Sequence, residues 1–342
     1  MTDASIKPRR LIRPRRWTPP AATPNAGRSD RTATLVVERR LPTGAPGPED
    51  VAFDATGGVL TGTADGSIER IDPVTGERTV IGNTGGRPLG LEPRPDGSVL
   101  VCDHDRGLLR LYPDGRVDTL ADTVDGQRIT FASNVAEAPD GSIWFTTSTS
   151  EWHVDHYLGD MLEHSGTGRL LCRTPDGAVR TVESGLKFAN GVVVAPDGSH
   201  LVFAETSGYR IRRHWLTGPD AGTTDTLVEN LPGFPDNMSL GSDGLLWVAV
   251  AAPRNPLLDR LLPLPGFLRT LVWNLPEAVR PEATPVAWVM AFDFTGQVVH
   301  DLRGEDCGYG FVTSVAERDG TLVIGSLSED AVAVIRTPAA AI

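Results

Sequence analysis

The chain has 342 residues and a mass of 36.6 kDa, with 40% apolar and 22% charged residues. That composition supplies a sizeable core and excludes a chain that is disordered throughout. Net charge is −12 and unevenly spread: residues 1–40 hold ten Lys/Arg against three Asp/Glu, and the remainder hold 22 against 41. So acidic a body argues against nucleic acid as the main ligand, and 37 Gly with 27 Pro favour a turn-rich all-β protein over a helical bundle.

In chain order, residues 1–33 come first, with the run KPRRLIRPRRWTPPAATP. Pro and Arg alternate and no period buries a face, so a disordered or loosely docked basic arm is expected. The Arg9-Arg10 and Arg15-Arg16 pairs precede no apolar h-region or cleavage site, which argues against a signal peptide. A solvated tail is the plain reading of this arm, and contact with acidic lipid or a partner surface the sharper one.

From residue 34 to about 338 one pattern repeats: a turn, often Asp-Gly, and then a run of β-branched or aromatic residues. The turn aspartates fall at Asp54, Asp96, Asp140, Asp197, Asp243 and Asp319, in steps of 42, 44, 57, 46 and 76 residues. The short steps match a four-stranded blade of ~40–50 residues, and each long step contains an insertion. This predicts a six-bladed β-propeller with a central channel in one all-β domain; a β-sandwich would not repeat one hairpin six times.

The residues five to seven before each turn belong on the innermost strands, which line the channel. They are Glu49, Leu89, Asn134, Asn190, Asp236 and Thr313, with Asn237 beside Asp236. Asp and Asn are depleted in strands, so their recurrence works against local propensity. Carboxylates and amide oxygens converging at one mouth form an oxygen-only set that suits Ca²⁺ or another divalent cation and lacks the His or Cys that zinc prefers. The alternative is that each residue caps a turn.

Two insertions follow, at about 148–167 and 252–285. The first, STSEWHVDHYLGDMLEHSG, holds His153, His156 and His164 and is placed to overhang the channel. It reads as a polar loop rather than the source of a general base, and His153-x-x-His156 alone is weak evidence for zinc. The second is rich in Leu, with Phe267 and Trp273; Pro263 and Pro265 break any long helix. It is expected to cap the propeller or a pocket, with peripheral membrane contact as the alternative; no apolar run reaches the ~18 residues of a span. Arg210, Arg212 and Arg213 read as a solvated face. Cys102, Cys172 and Cys307 show no C-x-x-C spacing, so neither zinc nor a disulfide framework is indicated and a reducing, cytoplasmic setting is expected. G-x-S-x-G, Walker A and Rossmann fingerprints are absent.

The segments GPED, GTADG, GRPLG, FANGV, AETSGYRIRRHWLTGP and ENLPGFPDN resemble the strictosidine-synthase-like propellers over nearly all the chain after residue 34. More distantly, the Glu, Asn, Asn and Asp-Asn pattern resembles paraoxonases and the gluconolactonase/senescence-marker family. The resemblance implies a channel calcium held by Glu49, Asn134, Asn190, Asp236 and Asn237 and used in lactone or aryl-ester hydrolysis. Asp236 would then hold the metal and also orient or deprotonate water. Two departures stand out. Thr313 occupies the place of the catalytic glutamate of strictosidine synthase and cannot act as its carboxylate acid/base, which disfavours a carbon–nitrogen bond-forming lyase. Leu89 stands where paraoxonases carry a histidine. A non-catalytic ligand- or partner-binding propeller with a structural calcium is the other alternative.

Overall fold

A computed structural model describes residues 11–22, 32–275 and 286–336. Six sheets stand in a ring as a six-bladed β-propeller, the predicted architecture. In each blade the innermost strand meets a second strand through the Asp turn. Blade I comprises 51–53, 59–62, 67–71 and 78–83, and blade II comprises 88–93, 99–103, 107–111 and 117–121. Blade III is 132–137, 143–147, 168–173 and 179–186, and blade IV is 189–194, 200–205, 210–215 and 224–228. Blade V is 233–240, 246–253, 287–292 and 298–304, with Thr32–Thr34 added in parallel as a fifth strand. Blade VI takes 312–318, 321–326 and 331–336 from the C-terminal end and Val37–Pro42 from the N-terminal end. This last pairing closes the ring.

The turn chemistry explains the repeat. Asp54, Asp96, Asp140, Asp197 and Asp243 each accept a hydrogen bond from a backbone N–H two residues on, at 2.8–3.0 Å. These are Asx turns. The sixth differs: Asp319 and Gly320 both have positive φ, 50° and 78°, the two-residue type I′ geometry of a tight hairpin. Between blades the cores are apolar, as where Trp247, Val289 and Leu302 of blade V meet Val315, Ile324 and Ala333 of blade VI. At the channel the inner strands approach closely. A Cβ on Gly90 would lie 2.5 Å from Asn134 Cα, and one on Gly191 would lie 2.4 Å from Met238 N.

Both insertions sit over the same channel mouth. The first forms a 3₁₀ turn, Val154–His156, and helix α1, Tyr157–Glu163. The second forms α2, Pro256–Leu261, and α3, Phe267–Trp273, with Pro263 and Pro265 in the break between them. Phe267 and Leu271 are 63% and 61% exposed on α3, and among the described residues no helix is long and apolar enough to cross a membrane.

Over residues 11–22 the basic arm is docked, the second of the two states expected from its composition. Glu163 of α1 accepts hydrogen bonds from Arg13 N, at 2.7 Å to its carboxylate, and from Arg15 N, at 2.8 Å to its carbonyl. Trp17 stacks on His164 at 4.4 Å. Arg269 of α3 donates to the carbonyls of Arg15 and Leu162, and Arg254 donates to the carbonyl of Pro20. Buried guanidinium donors thus satisfy the arm's carbonyls, which composition does not reveal. Residues 1–10 and 23–31 lie outside the described residues. Arg210, Arg212 and Arg213 are not merely solvated: they lie on the third strand of blade IV, where Arg210 and Arg212 pair with Glu205 and Arg213 forks onto Asp225.

Candidate metal centre

Strand pairing fixes which residues are equivalent around the channel. In blade IV, Ala189 faces Glu205 and Val192 faces Phe203, with two bulged residues between. Blade III repeats this with Ala132 opposite Thr147 and Val135 opposite Phe145. Ser133 therefore matches Asn190, and Asn134 matches Gly191. Blades II, V and VI carry the same bulge, which turns one side chain toward the channel mouth. The resulting ring is Glu49, Leu89, Ser133, Asn190, Asp236 and Thr313, and all six line one cavity of about 210 Å³.

The structure corrects one predicted ligand. Asn134 lies one residue out of register, and its Oδ1 accepts from Val192 N at 2.9 Å, tying blade III to blade IV. It lines the opposite channel mouth with Asp50 and Glu92. Glu49, Asn190, Asp236 and Asn237 do come together. Asn190 Nδ2 donates to Asp236 Oδ1, and Asn237 Nδ2 donates to Glu49 Oε1 at 3.1 Å. Ser133 Oγ donates to Asn190 Oδ1 at 2.9 Å. Thr313 Oγ1 donates to the Glu49 carbonyl at 2.6 Å.

Electrostatics make this cluster unusual. Glu49 is 6% exposed and Asp236 7% exposed. Burial, then the charges of Asp236 and Asp50, push the Glu49 carboxyl well above its ordinary range against the pull of Arg87 and Asn237. Burial also pushes Asp236 well up, and the hydrogen bond from Asn190 offsets only part of this. Asp50, beneath them, is raised to about 6, chiefly by burial. Glu49 Oε2 and Asn237 Oδ1 are buried and find no hydrogen-bond donor among the described residues. Two crowded carboxylates and two idle oxygen acceptors are what a hard divalent cation satisfies, so the donor set fits one.

The cavity walls are aromatic and aliphatic. Phe131, Phe188, Phe234 and Phe311 each stand two residues before a ring residue, and all four line the cavity. Phe131, Phe188 and Phe311 have φ of 50°, 61° and 53°, a left-handed conformation that is strained for so bulky a side chain and recurs here at a site. Val154, Tyr157, Leu158 and Met161 of the first insertion and Arg254 and Leu258 of the second complete the walls. Burial raises Tyr157 to about 12. The sequence reading missed Ser133, Arg87 and Arg254, although Phe-x-Ser at 131–133 parallels Phe-x-Asn, Phe-x-Asp and Phe-x-Thr in the other blades.

A propeller with a polar ring beneath an apolar, doubly capped cavity defines the class. The family model for strictosidine synthase matches residues 134–219, and that for the strictosidine synthase-like N-terminal region matches 38–71. The adipocyte plasma membrane-associated protein of Salmo salar is 35% identical over 309 residues, covering 82% of this chain and 73% of the relative. Protein strictosidine synthase-like 13 of Arabidopsis thaliana is 32% identical over 292 residues, covering 75% and 72%. This chain belongs to the strictosidine synthase-like family. Among solved structures, a gluconolactonase of Xanthomonas campestris superposes with a TM-score of 0.62 at 17% identity, covering 97% of this chain and 99% of that one. The calcium-binding protein regucalcin of Agrobacterium tumefaciens gives 0.63 at 14% identity, covering 90% and 95%. At such identities the likeness is one of fold.

Proposed function

We propose that this protein is a calcium-dependent hydrolase of lactones or aryl esters whose acyl or aryl part is apolar. The observation that carries the reading is the buried pair Glu49 and Asp236, with idle acceptors on Glu49 and Asn237, at the base of a Phe-walled cavity. Glu49, Asn190, Asp236 and Asn237 would hold the cation. When bound, it supplies Lewis-acid polarisation of the substrate carbonyl. Asn190 orients Asp236 through its amide, and Asp236 is the group placed to take a proton from water. Phe131, Phe188, Phe234 and Phe311 exclude bulk water and receive the apolar part of the substrate.

A gluconolactonase among the fold neighbours supports lactone chemistry. The apolar walls favour aryl esters and alkyl lactones over hydroxyl-rich sugar lactones, whose hydroxyls would find few partners here. Thr313 spends its hydroxyl on the Glu49 carbonyl and supplies no carboxylate for amine–aldehyde condensation.

The test is turnover of a panel of aryl esters, alkyl lactones and gluconolactone with calcium, with chelator and after calcium is restored. The expected result is hydrolysis of the apolar members, lost with chelator and recovered with calcium, and absent in Asp236→Asn. No turnover of any member by calcium-loaded protein would sink the hydrolase reading in favour of a ligand-binding propeller.

A further inference from the structure

A second cluster of metal-type donors lies outside the channel. His104 and Asp105 sit in the turn after the second strand of blade II, and His153 opens the first insertion, 48 residues beyond Asp105. Their donor atoms all lie within 4.8 Å of one another. Nε2 of both imidazoles approaches the same carboxylate oxygen, Asp105 Oδ1, at 3.9 Å from His104 and 3.7 Å from His153. The rings meet edge-on at 4.1 Å and 77°.

From this convergence we infer a zinc-type site formed by His104, Asp105 and His153. Two imidazole nitrogens and one carboxylate oxygen make a borderline donor set that suits Zn²⁺ and the neighbouring first-row cations and is poor for Ca²⁺. Zinc bonds of ~2.0–2.2 Å span the observed donor separations after small side-chain movements. The fourth position faces solvent beside Asp105, which is 49% exposed on its side chain.

The surroundings hold these donors in place. Asp103 Oδ1 accepts from the backbone N–H groups of Asp105 and Arg106, at 2.9 and 3.0 Å, fixing the turn that presents Asp105. His104 N donates to the Arg87 carbonyl at 2.8 Å, and the His104 carbonyl accepts from Phe131 N at 2.9 Å. Asp155 Oδ2 lies 3.2 Å from His153 Nδ1. A proton on Nδ1 directed at that carboxylate leaves the lone pair on Nε2, the usual device that orients a ligating histidine. In the structure His153 Nδ1 accepts from Asp155 N–H at 3.3 Å, so ligation through Nε2 moves the ring proton to Nδ1 and exchanges that bond for one to the Asp155 carboxylate.

The site has a structural consequence. His153 belongs to the cap and the other two donors to blade II, so an ion here pins the first insertion to the propeller. The next residue, Val154, lines the cavity, as do Tyr157, Leu158 and Met161 on the same insertion. Occupancy therefore fixes one wall of the pocket. This inference does not depend on the channel cation or on hydrolysis.

The experiment uses untagged full-length protein saturated with calcium, with Co²⁺ as the spectroscopic probe and Zn²⁺ as competitor. The expected result is one equivalent of bound Co²⁺ with visible d–d absorption, displaced by Zn²⁺ and undiminished by a large excess of Ca²⁺. His153→Ala and Asp105→Asn should weaken it at least tenfold, while Asp236→Asn should retain it. Zn²⁺ should also slow proteolytic cleavage within 148–167. Both variants alter accessible side chains, so the test stands even if His104→Ala, at a buried position, fails to fold. No saturable Co²⁺ binding, or wild-type binding by His153→Ala, would overturn the site.

Discussion

Glu49 and Asp236 compete for the same buried space, and each raises the free energy of ionising the other. Without a cation this opposes folding at neutral pH; with one it becomes the binding energy. Asp236→Asn should therefore act with two signs. It keeps the oxygen that accepts from Asn190, removes one of the two charges, and should raise the melting temperature of chelated protein at pH 8. It should also reduce calcium affinity by more than about tenfold, ~1.4 kcal/mol. A lower melting temperature in chelator would show that the carboxylates do not oppose each other. Asn134→Ala should behave differently: it should leave calcium affinity nearly unchanged but strand the Val192 N–H, destabilising by about 1–3 kcal/mol. Calorimetry and thermal melts read both quantities. At this scale the sequence points to Glu49, Asn190, Asp236 and Asn237, because carboxylates and amides at strand positions violate propensity, and the structure brings these four together. The sequence misled at Asn134, because a two-residue bulge shifts the inward-facing position by one and polarity was followed in place of register. Counting two residues on from Phe131, Phe188, Phe234 and Phe311 recovers four of the six ring positions, with Ser133 in place of Asn134.

Elements added to the propeller, not its strands, shape the upper half of the cavity. The arm over 11–22, α1 and α3 form one layer, knotted by Arg269, whose guanidinium bridges the carbonyls of Leu162 and Arg15. Deleting residues 1–22 removes the Arg15 carbonyl from Arg269 and the Pro20 carbonyl from Arg254. It should lower the melting temperature and raise KM more than it lowers kcat for any substrate that fills the cavity. An unchanged melting temperature would mean that the arm is not part of the fold. The layer also carries a pH signature. Burial lowers the His164 imidazole to about 3, helped by Lys187 and Arg269 nearby, and its two ring nitrogens have no hydrogen-bond partner among the described residues. A folded pKa below the unfolded value, ~6.5, gives stability that is present above pH 6.5 and lost as pH falls toward 3. The loss reaches about 2 kcal/mol by pH 5. His164→Phe retains a ring for Trp17 and should flatten the wild-type decline between pH 7 and 5, read by urea melts. A wild-type decline equal to that of the variant would assign it elsewhere, since Asp160, raised to about 6, acts in the opposite sense in both proteins. Sequence legibility is poorest here. Proline and arginine imply a tail, and nothing local shows that distant buried arginines await its carbonyls.

Across the molecule, six similar sheets become one cooperative body only if the ring is closed. Two links close it. The first is a strand pairing: Val37–Pro42 pairs antiparallel with 331–336, with Val37 opposite Ile335 and Pro42 opposite Ala331, so the two ends of the chain share blade VI. The second is the channel cluster, which joins side chains from blades I, IV and V at one point. The Asp-Gly spacing revealed the six blades because each hairpin is local. It could not reveal the shared blade, whose partner strands lie about 300 residues apart and carry no common motif. These links lead to a last prediction. Calcium binding only the folded form stabilises it by RT ln(1 + [L]/Kd), about 2.7 kcal/mol at a hundredfold excess over Kd. At ~2.1 cal/mol/K of unfolding entropy per residue, a domain of about 300 residues shifts by roughly 1.6 °C per kcal/mol. Scanning calorimetry with and without chelator should therefore show one transition displaced by roughly 4 °C. A cation on three blades stabilises the ring as a unit, so the transition should shift whole and not split. Truncation after Ala33 should preserve that behaviour, because Val37–Pro42 remains. Truncation after Pro42 opens blade VI and should abolish the single transition whether or not calcium is present. A calcium-independent melting temperature, or an intact cooperative melt in the longer truncation, would show that the ring is held together by other means.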